Sequence, residues 1–187
     1  MASAKAAAKA QPDSWPMWLR VWFWVQLVVI SFDCAFILLR PLSFPEGKLG
    51  FMFPAIHAYM AVDSDYADVK NPLGWAVSTM CLVENAILAI AMFVLHPSEQ
   101  RQTPQQLALP QRSDLVALIA TSMQFGKSIL KWIIDIYAGF AHVSHSPLST
   151  VVQMYVIPNA IWLVGPLFVF AFFGRKILAA GKGAKNE

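Results

Sequence analysis

Charge is scarce in this chain. Of its 187 residues only 13% are Asp, Glu, Lys or Arg, while 57% are hydrophobic. Soluble globular domains carry about 25% charged residues, so this composition excludes both an ordinary water-soluble domain and a disordered polyelectrolyte. Cysteine is equally sparse. Cys34 and Cys81 each lie inside an apolar segment, which excludes a disulfide framework and reads as two buried thiols. Internal repeats, a Walker loop, a dinucleotide fingerprint, Cys/His zinc spacing and a serine-nucleophile elbow are all missing. The sequence therefore leads us to expect no cofactor and no metal. "DSDYAD" superficially resembles a calcium loop, but lacks the glycine and the distal Glu. The net charge of +3 sits on the tails, without the aromatic-interleaved basic patch that nucleic-acid binding requires.

What the chain has instead is long apolar runs. Four reach the ~20 residues that a bilayer crossing needs: approximately Trp18 to Leu39, Leu73 to Leu95, Leu115 to Tyr137 and Val151 to Phe173. The expected fold is an all-α integral membrane protein, a compact bundle of four transmembrane helices enclosing a ligand pocket. The first run is too long and too rich in Trp and Phe for a cleavable signal core, and reads as a retained helix. Residues 1–16 read as a disordered tail, 17–175 as the membrane domain with a long loop at 41–72, and 176–187 as a basic tail.

Basic residues set the expected orientation. Lys5, Lys9, Arg20, Arg101, Arg112, Arg175, Lys176, Lys182 and Lys185 fall on one side of an even-numbered bundle, and only Arg40, Lys48 and Lys70 on the other. Both termini are expected to be cytoplasmic, with loop 41–72 facing a lumen as an interfacial lid. Trp15, Trp18, Trp22, Trp24 and Trp75 fit aromatic belts near helix ends.

Ionisable groups at membrane depth are costly and point to function. The first run holds Asp33, the second Glu84, the third Gln124, Lys127, Ser128, Lys131 and Asp135, and the fourth Asn159. In the third run these residues recur every three to four positions, so they share one helix face. Ile129, Leu130, Trp132, Ile133 and Ile134 form the opposite, apolar face. Two chemistries suit this pattern. In one, the acids and lysines form a buried ion network that only sets helix register, with Lys131 and Asp135 bridging at i, i+4. In the other, the polar face lines a cavity and moves protons. His57, His96, His142 and His145 fall in loops or at helix ends, where a metal site would need folding to bring them together.

Several stretches carry a family resemblance. "VVISFDCAFILL" contains an acid followed by a small residue and an aromatic, "YMAVDSDY" a Tyr, Asp-Ser and Tyr pattern, and "STMCLVEN" a membrane glutamate. "MQFGKSILKWIIDIYAGF" has Gln124, then Asp135 eleven positions on, then Gly139 and Phe140. "NAIWLVGP" supplies Asn159, Trp162 and Pro166. In order and spacing these resemble the emopamil-binding protein (EXPERA-domain) family, which includes sterol Δ8-Δ7 isomerase and the sigma-two receptor.

The resemblance implies a homodimer of the endoplasmic reticulum membrane whose helices enclose a pocket for a hydrophobic polycycle, a sterol- or terpenoid-like substrate. It implies an acid/base isomerase or cyclase; the alternative is a non-catalytic lipid binder like the sigma-two receptor. Carried over, Glu84 and Asp33 are the acid/base pair. Asn159 orients a carboxyl or the ligand, Trp162 offers a π face to positive charge, Gln124 and Asp135 complete the polar wall, and Asp63 and Tyr66 shape the entry. The chain departs from the isomerase in having Val29 where a histidine stands, and in carrying Lys127 and Lys131. An ammonium beside a carboxyl favours its ionised form, making a base of a would-be acid. That change suits an oxygenated, enolisable substrate whose enolate Lys127 or Lys131 would stabilise.

Overall fold

A computed structural model describes residues 15–96 and 110–183. Expectations for most of the N-terminal tail, for Lys5, Lys9, Arg101 and Lys185, lie outside the described residues. The described chain is helical, without a strand: α1 (Met17–Leu38), α2 (Pro54–Met60), α3 (Pro72–Ala89), α4 (Arg112–Tyr137), α5 (Leu148–Val151) and α6 (Ile157–Gly183). Wider π-helical turns extend α3 through Ile90–Leu95 and join α5 to α6 through Val152–Val156. α1, α3 with its π turn, and the rod Leu148–Ala179 are each long and apolar enough to cross a membrane. α4 is as long, but its charged residues set it apart from those three.

Local chemistry explains the helix starts. Pro54 and Pro72 occupy first turns, where a missing N–H costs nothing. Asn71 caps α3 by accepting from the Leu73 and Gly74 amides, and Gln111 and Asp114 form a capping box on α4. α4 stops at Gly139, whose φ of 62° continues no right-handed helix.

α1 packs on α3, α3 on α4 and α4 on α6. Trp22 of α1 closes the ring against Trp162 of α6. That approach needs Gly165, because a Cβ there would collide with the Trp22 ring. The outward side remains apolar: Val21, Trp24 and Val28 on α1, Leu82 and Phe93 on the α3 rod, and Ile161, Leu167 and Phe168 on α6 are all exposed. Ile129, Leu130 and Ile133 of α4 are exposed with them, as the sequence pattern predicts. In water such a skin would be an aggregation surface; against lipid it is a solvated one.

The two ends of the bundle differ. At one end Trp15, Leu19, Phe23, Leu88, Ala117, Val169 and Phe173 form a closed core. Trp15 donates its indole N–H to Asp114 at 2.7 Å and stacks on His96, and Lys176 reaches Asp114 at 2.5 Å. Trp15 is therefore a core residue, correcting its expected place in an interfacial belt; Trp18 and Trp24 are exposed as expected. At the other end the 41–72 segment folds back over the bundle. Phe53 packs on Phe36 and Ile37, and buried Arg40 donates from Nη1 to the Asp65, Tyr66 and Asp68 carbonyls at 2.9–3.1 Å.

Replacing Gly165 with Val should destabilise the protein by about 1–3 kcal/mol through overpacking. Thermal unfolding in detergent will register this as a lower midpoint, and adding Trp22→Ala should recover part of the loss.

Candidate functional site

Beneath the folded-back segment lies a cavity of about 340 Å³. Asp33 and Val29 of α1, Ile56 and Tyr59 of α2, Asp63 and Tyr66 of the following loop, and Ser78 and Cys81 of α3 line it. Gln124, Lys127, Ser128, Lys131 and Trp132 of α4 and Asn159 and Trp162 of α6 complete the wall. The helical spacing seen in the sequence is thus realised: one face of α4 is polar and meets the cavity. Trp132, grouped by sequence with the apolar outer face, instead stands in the wall, where its ring packs near Tyr155.

Two ionic layers stand at different depths. Deeper in the bundle Lys127 Nζ contacts Glu84 Oε2 at 2.5 Å and Cys81 Sγ at 2.8 Å. Glu84 is buried and does not line the cavity, so the ammonium stands between it and any ligand. Its second oxygen, Oε1, has no hydrogen-bond partner among the described residues. Nearer the mouth Lys131 Nζ meets Asp135 Oδ1 at 2.7 Å, the expected i, i+4 bridge. The Tyr155 hydroxyl also donates to Asp135, which sits behind the wall rather than in it. The π-helical turn that carries Tyr155 is the wider kind often found at functional sites.

Asp33 is the carboxylate that faces the cavity from α1. Tyr66 donates its hydroxyl to Asp33 Oδ1 at 2.9 Å. Burial holds the Tyr66 phenol well above its usual pKa, so it keeps the proton it donates. Opposite, Asn159 donates to the Tyr59 hydroxyl at 3.1 Å and to the Tyr155 carbonyl at 2.8 Å. The Gln124 amide is buried with neither its oxygen nor its nitrogen partnered among the described residues, and it borders the cavity. Such an amide costs ~1–3 kcal/mol unless something answers it.

The structure therefore brings Asp33, Lys127, Lys131, Gln124, Asn159, Trp162, Asp63 and Tyr66 to one cavity, and stations Glu84 and Asp135 one layer behind, each locked to a lysine. Tyr59, Tyr155 and Cys81 escaped the sequence reading as site residues. Tyr155 stands four residues before Asn159 and so shares its helix face, and Tyr59 opens the "YMAVDSDY" pattern, signals the sequence contains; Cys81 joins through folding alone.

Lys127→Met should leave Glu84 as an uncompensated buried charge, and costs of about 3–5 kcal/mol attend such breaks. Unfolding in detergent should show that loss, with Lys127→Met/Glu84→Gln regaining most of it. Full stability in the single variant would mean that the pair is not sealed from water.

Compared with family models, curated proteins and solved structures, the chain matches none.

Proposed function

We propose that this protein is a membrane-embedded isomerase or cyclase of the emopamil-binding (EXPERA) type, moving a proton on a hydrophobic, sterol- or terpenoid-like substrate. The observation that carries this reading is the pairing across one apolar cavity of a carboxylate, Asp33, with an ammonium, Lys127. α4 serves as a fourth crossing: 26 residues at 1.5 Å each give about 39 Å, and its Asp114, Lys127, Lys131 and Asp135 turn inward to partners. The bundle then resides in the endoplasmic reticulum membrane as a homodimer with both termini cytoplasmic.

The two-layer arrangement refines the roles. Asp33, held by Tyr66, is the base that takes a proton from the carbon beside a substrate carbonyl. Lys127 or Lys131 receives the enolate oxygen, and Glu84 and Asp135 keep those lysines charged and in place. Asp33 exchanges that proton with water and returns one to the far end of the delocalised system, which shifts the double bond with no net change in composition. Attack of the enolate carbon on an alkene or carbonyl carbon of the same substrate, breaking that π bond, with the proton held by Asp33 passing to the resulting anion, would close a ring instead. Gln124 and Asn159 orient the substrate oxygen, Trp162 covers its apolar face, and Asp63 and Tyr66 shape the entry. No cofactor is required.

A second reading, a non-catalytic lipid binder like the sigma-two receptor, draws on one observation: both lysines are already neutralised by carboxylates.

Microsomes carrying wild type, Asp33→Asn or Lys127→Met, incubated with lipid extract in deuterated water, separate the two. Isomerisation yields a product with a new C–D bond in wild type and lowers its rate by about 10²-fold or more in Asp33→Asn. Saturable capture of a photoreactive sterol with no deuterated product would establish the binder.

A further inference from the structure

At the mouth of the cavity stands a group of ligating side chains that the proton-transfer reading leaves with a shaping role at most. Asp63 and Asp65 flank Ser64 at the start of the short 3-10 turn Ser64–Tyr66, and His142 belongs to the segment between α4 and α5. One donor atom from each of the three lies within 4.8 Å of the others. The two segments are already fastened together, since the Ser64 amide and hydroxyl both donate to the His142 carbonyl at 3.0 Å.

An independent observation marks this as a place for a ligand. Asp63 is 1% exposed and His142 8% exposed, yet Asp63 Oδ2 and His142 Nε2 have no hydrogen-bond partner among the described residues. Asp63 Oδ1 is engaged by the Asp65 amide at 3.0 Å. Asp135 Oδ1 stands 3.8 Å from His142 Nε2, beyond hydrogen-bonding range, and accepts from Lys131, while Asp135 Oδ2 accepts from Tyr155.

Charge points the same way. Asp63, Asp65 and Asp135 bring three negative charges and Lys131 one positive, a balance of minus two with His142 neutral. Lys131 sits 2.7 Å from Asp135 and 4.0 Å from Asp65 Oδ2, so it answers the third acid and leaves the pair at 63 and 65.

We propose that Asp63, Asp65 and His142 bind a first-row divalent metal ion, with zinc the best match, which clamps the α2–α3 loop to the α4–α5 loop over the cavity mouth. Two carboxylates and an imidazole suit Zn²⁺ better than Ca²⁺ or Mg²⁺, which take all-oxygen shells. Zinc bonds of about 2.0–2.2 Å set ligand atoms roughly 3.4 Å apart. The side chains therefore draw in by about 1 Å on binding. Asp65, with its side chain 37% exposed, is free to make that move, and it leaves Lys131 wholly to Asp135. A fourth position stays open toward the cavity, because Asp63 and Asp65 both line it.

The full-length protein, purified in detergent and stripped with chelator, should take up one equivalent of Zn²⁺ by calorimetry. Co²⁺ should give visible d–d absorption at the same stoichiometry, and Zn²⁺ should raise the melting temperature. His142→Ala, Asp63→Asn and Asp65→Asn should each weaken Zn²⁺ binding by roughly 10-fold or more, whereas His145→Ala and Asp68→Asn should bind as wild type does. Each variant is compared with wild type by circular dichroism and melting under chelator; if a buried-site variant misfolds, Asp65→Asn decides. Absence of stoichiometric Zn²⁺ uptake by wild type, or uptake undiminished in the ligand variants, overturns the proposal. The readout is metal binding rather than turnover, so a failure here is distinct from a failure of the proton-transfer reading.

Discussion

The contact between Lys127 and Glu84, 2.5 Å apart inside a bundle poor in charge, is the constraint around which the rest is arranged. Neither group could be left alone in hydrocarbon, where each unpaired charge costs several kcal/mol. Pairing them ties α3 to α4 at one depth and in one rotational register. Once α4 is held so, every third or fourth residue along it faces the same interior. Gln124, Ser128 and Lys131 then have to be accommodated by the cavity rather than by lipid.

That arrangement divides the molecule into a sealed end and an open end. Around Trp15 the aromatic and aliphatic side chains interlock, and the few polar groups there are consumed by one another: indole and ammonium on Asp114. Beyond Lys127 the packing gives way to the cavity, roofed by a segment that contributes no long helix. The roof holds because Arg40 gathers three carbonyls of the 65–68 turn and packs its cation on Trp75. A guanidinium is suited to this task, since its fixed fork of donors can satisfy several acceptors at once. This division decides which charges are free to meet a ligand. Asp33 meets the cavity directly, whereas Glu84 stands behind its lysine.

Much of this was legible beforehand, and the reasons differ by element. The apolar runs are visible because a bilayer demands unbroken hydrophobic length, so the observed helices Met17–Leu38, Pro72–Ala89 with its extension, and Leu148–Ala179 lie where the runs do. α4 was visible for a different reason: its polar residues repeat at the helical period. Trp15 was misplaced, because an aromatic at a helix start reads equally as a belt residue or as a core residue. The choice between them was made by Asp114, ninety-nine positions away. Glu84 and Asp135 were recognised as buried acids, but whether an acid lines a cavity or stands behind its wall turns on rotation by a few tens of degrees, which composition does not record.

The amino-acid order alone determined that this chain is helical, that its helices are apolar on the outside, and that acids, amides and ammonium groups recur on its inner faces. Those properties follow from periodicity and from the cost of charge in hydrocarbon, both of which are local. Tertiary structure decided which carboxylate pairs with which lysine, that Tyr66 comes to Asp33 and Tyr59 to Asn159, and that His142 meets Asp63 and Asp65. These are contacts between segments far apart in the chain. Side chains that bond across such distances leave no mark on the spacing of their neighbours, so only the folded geometry could bring them into view.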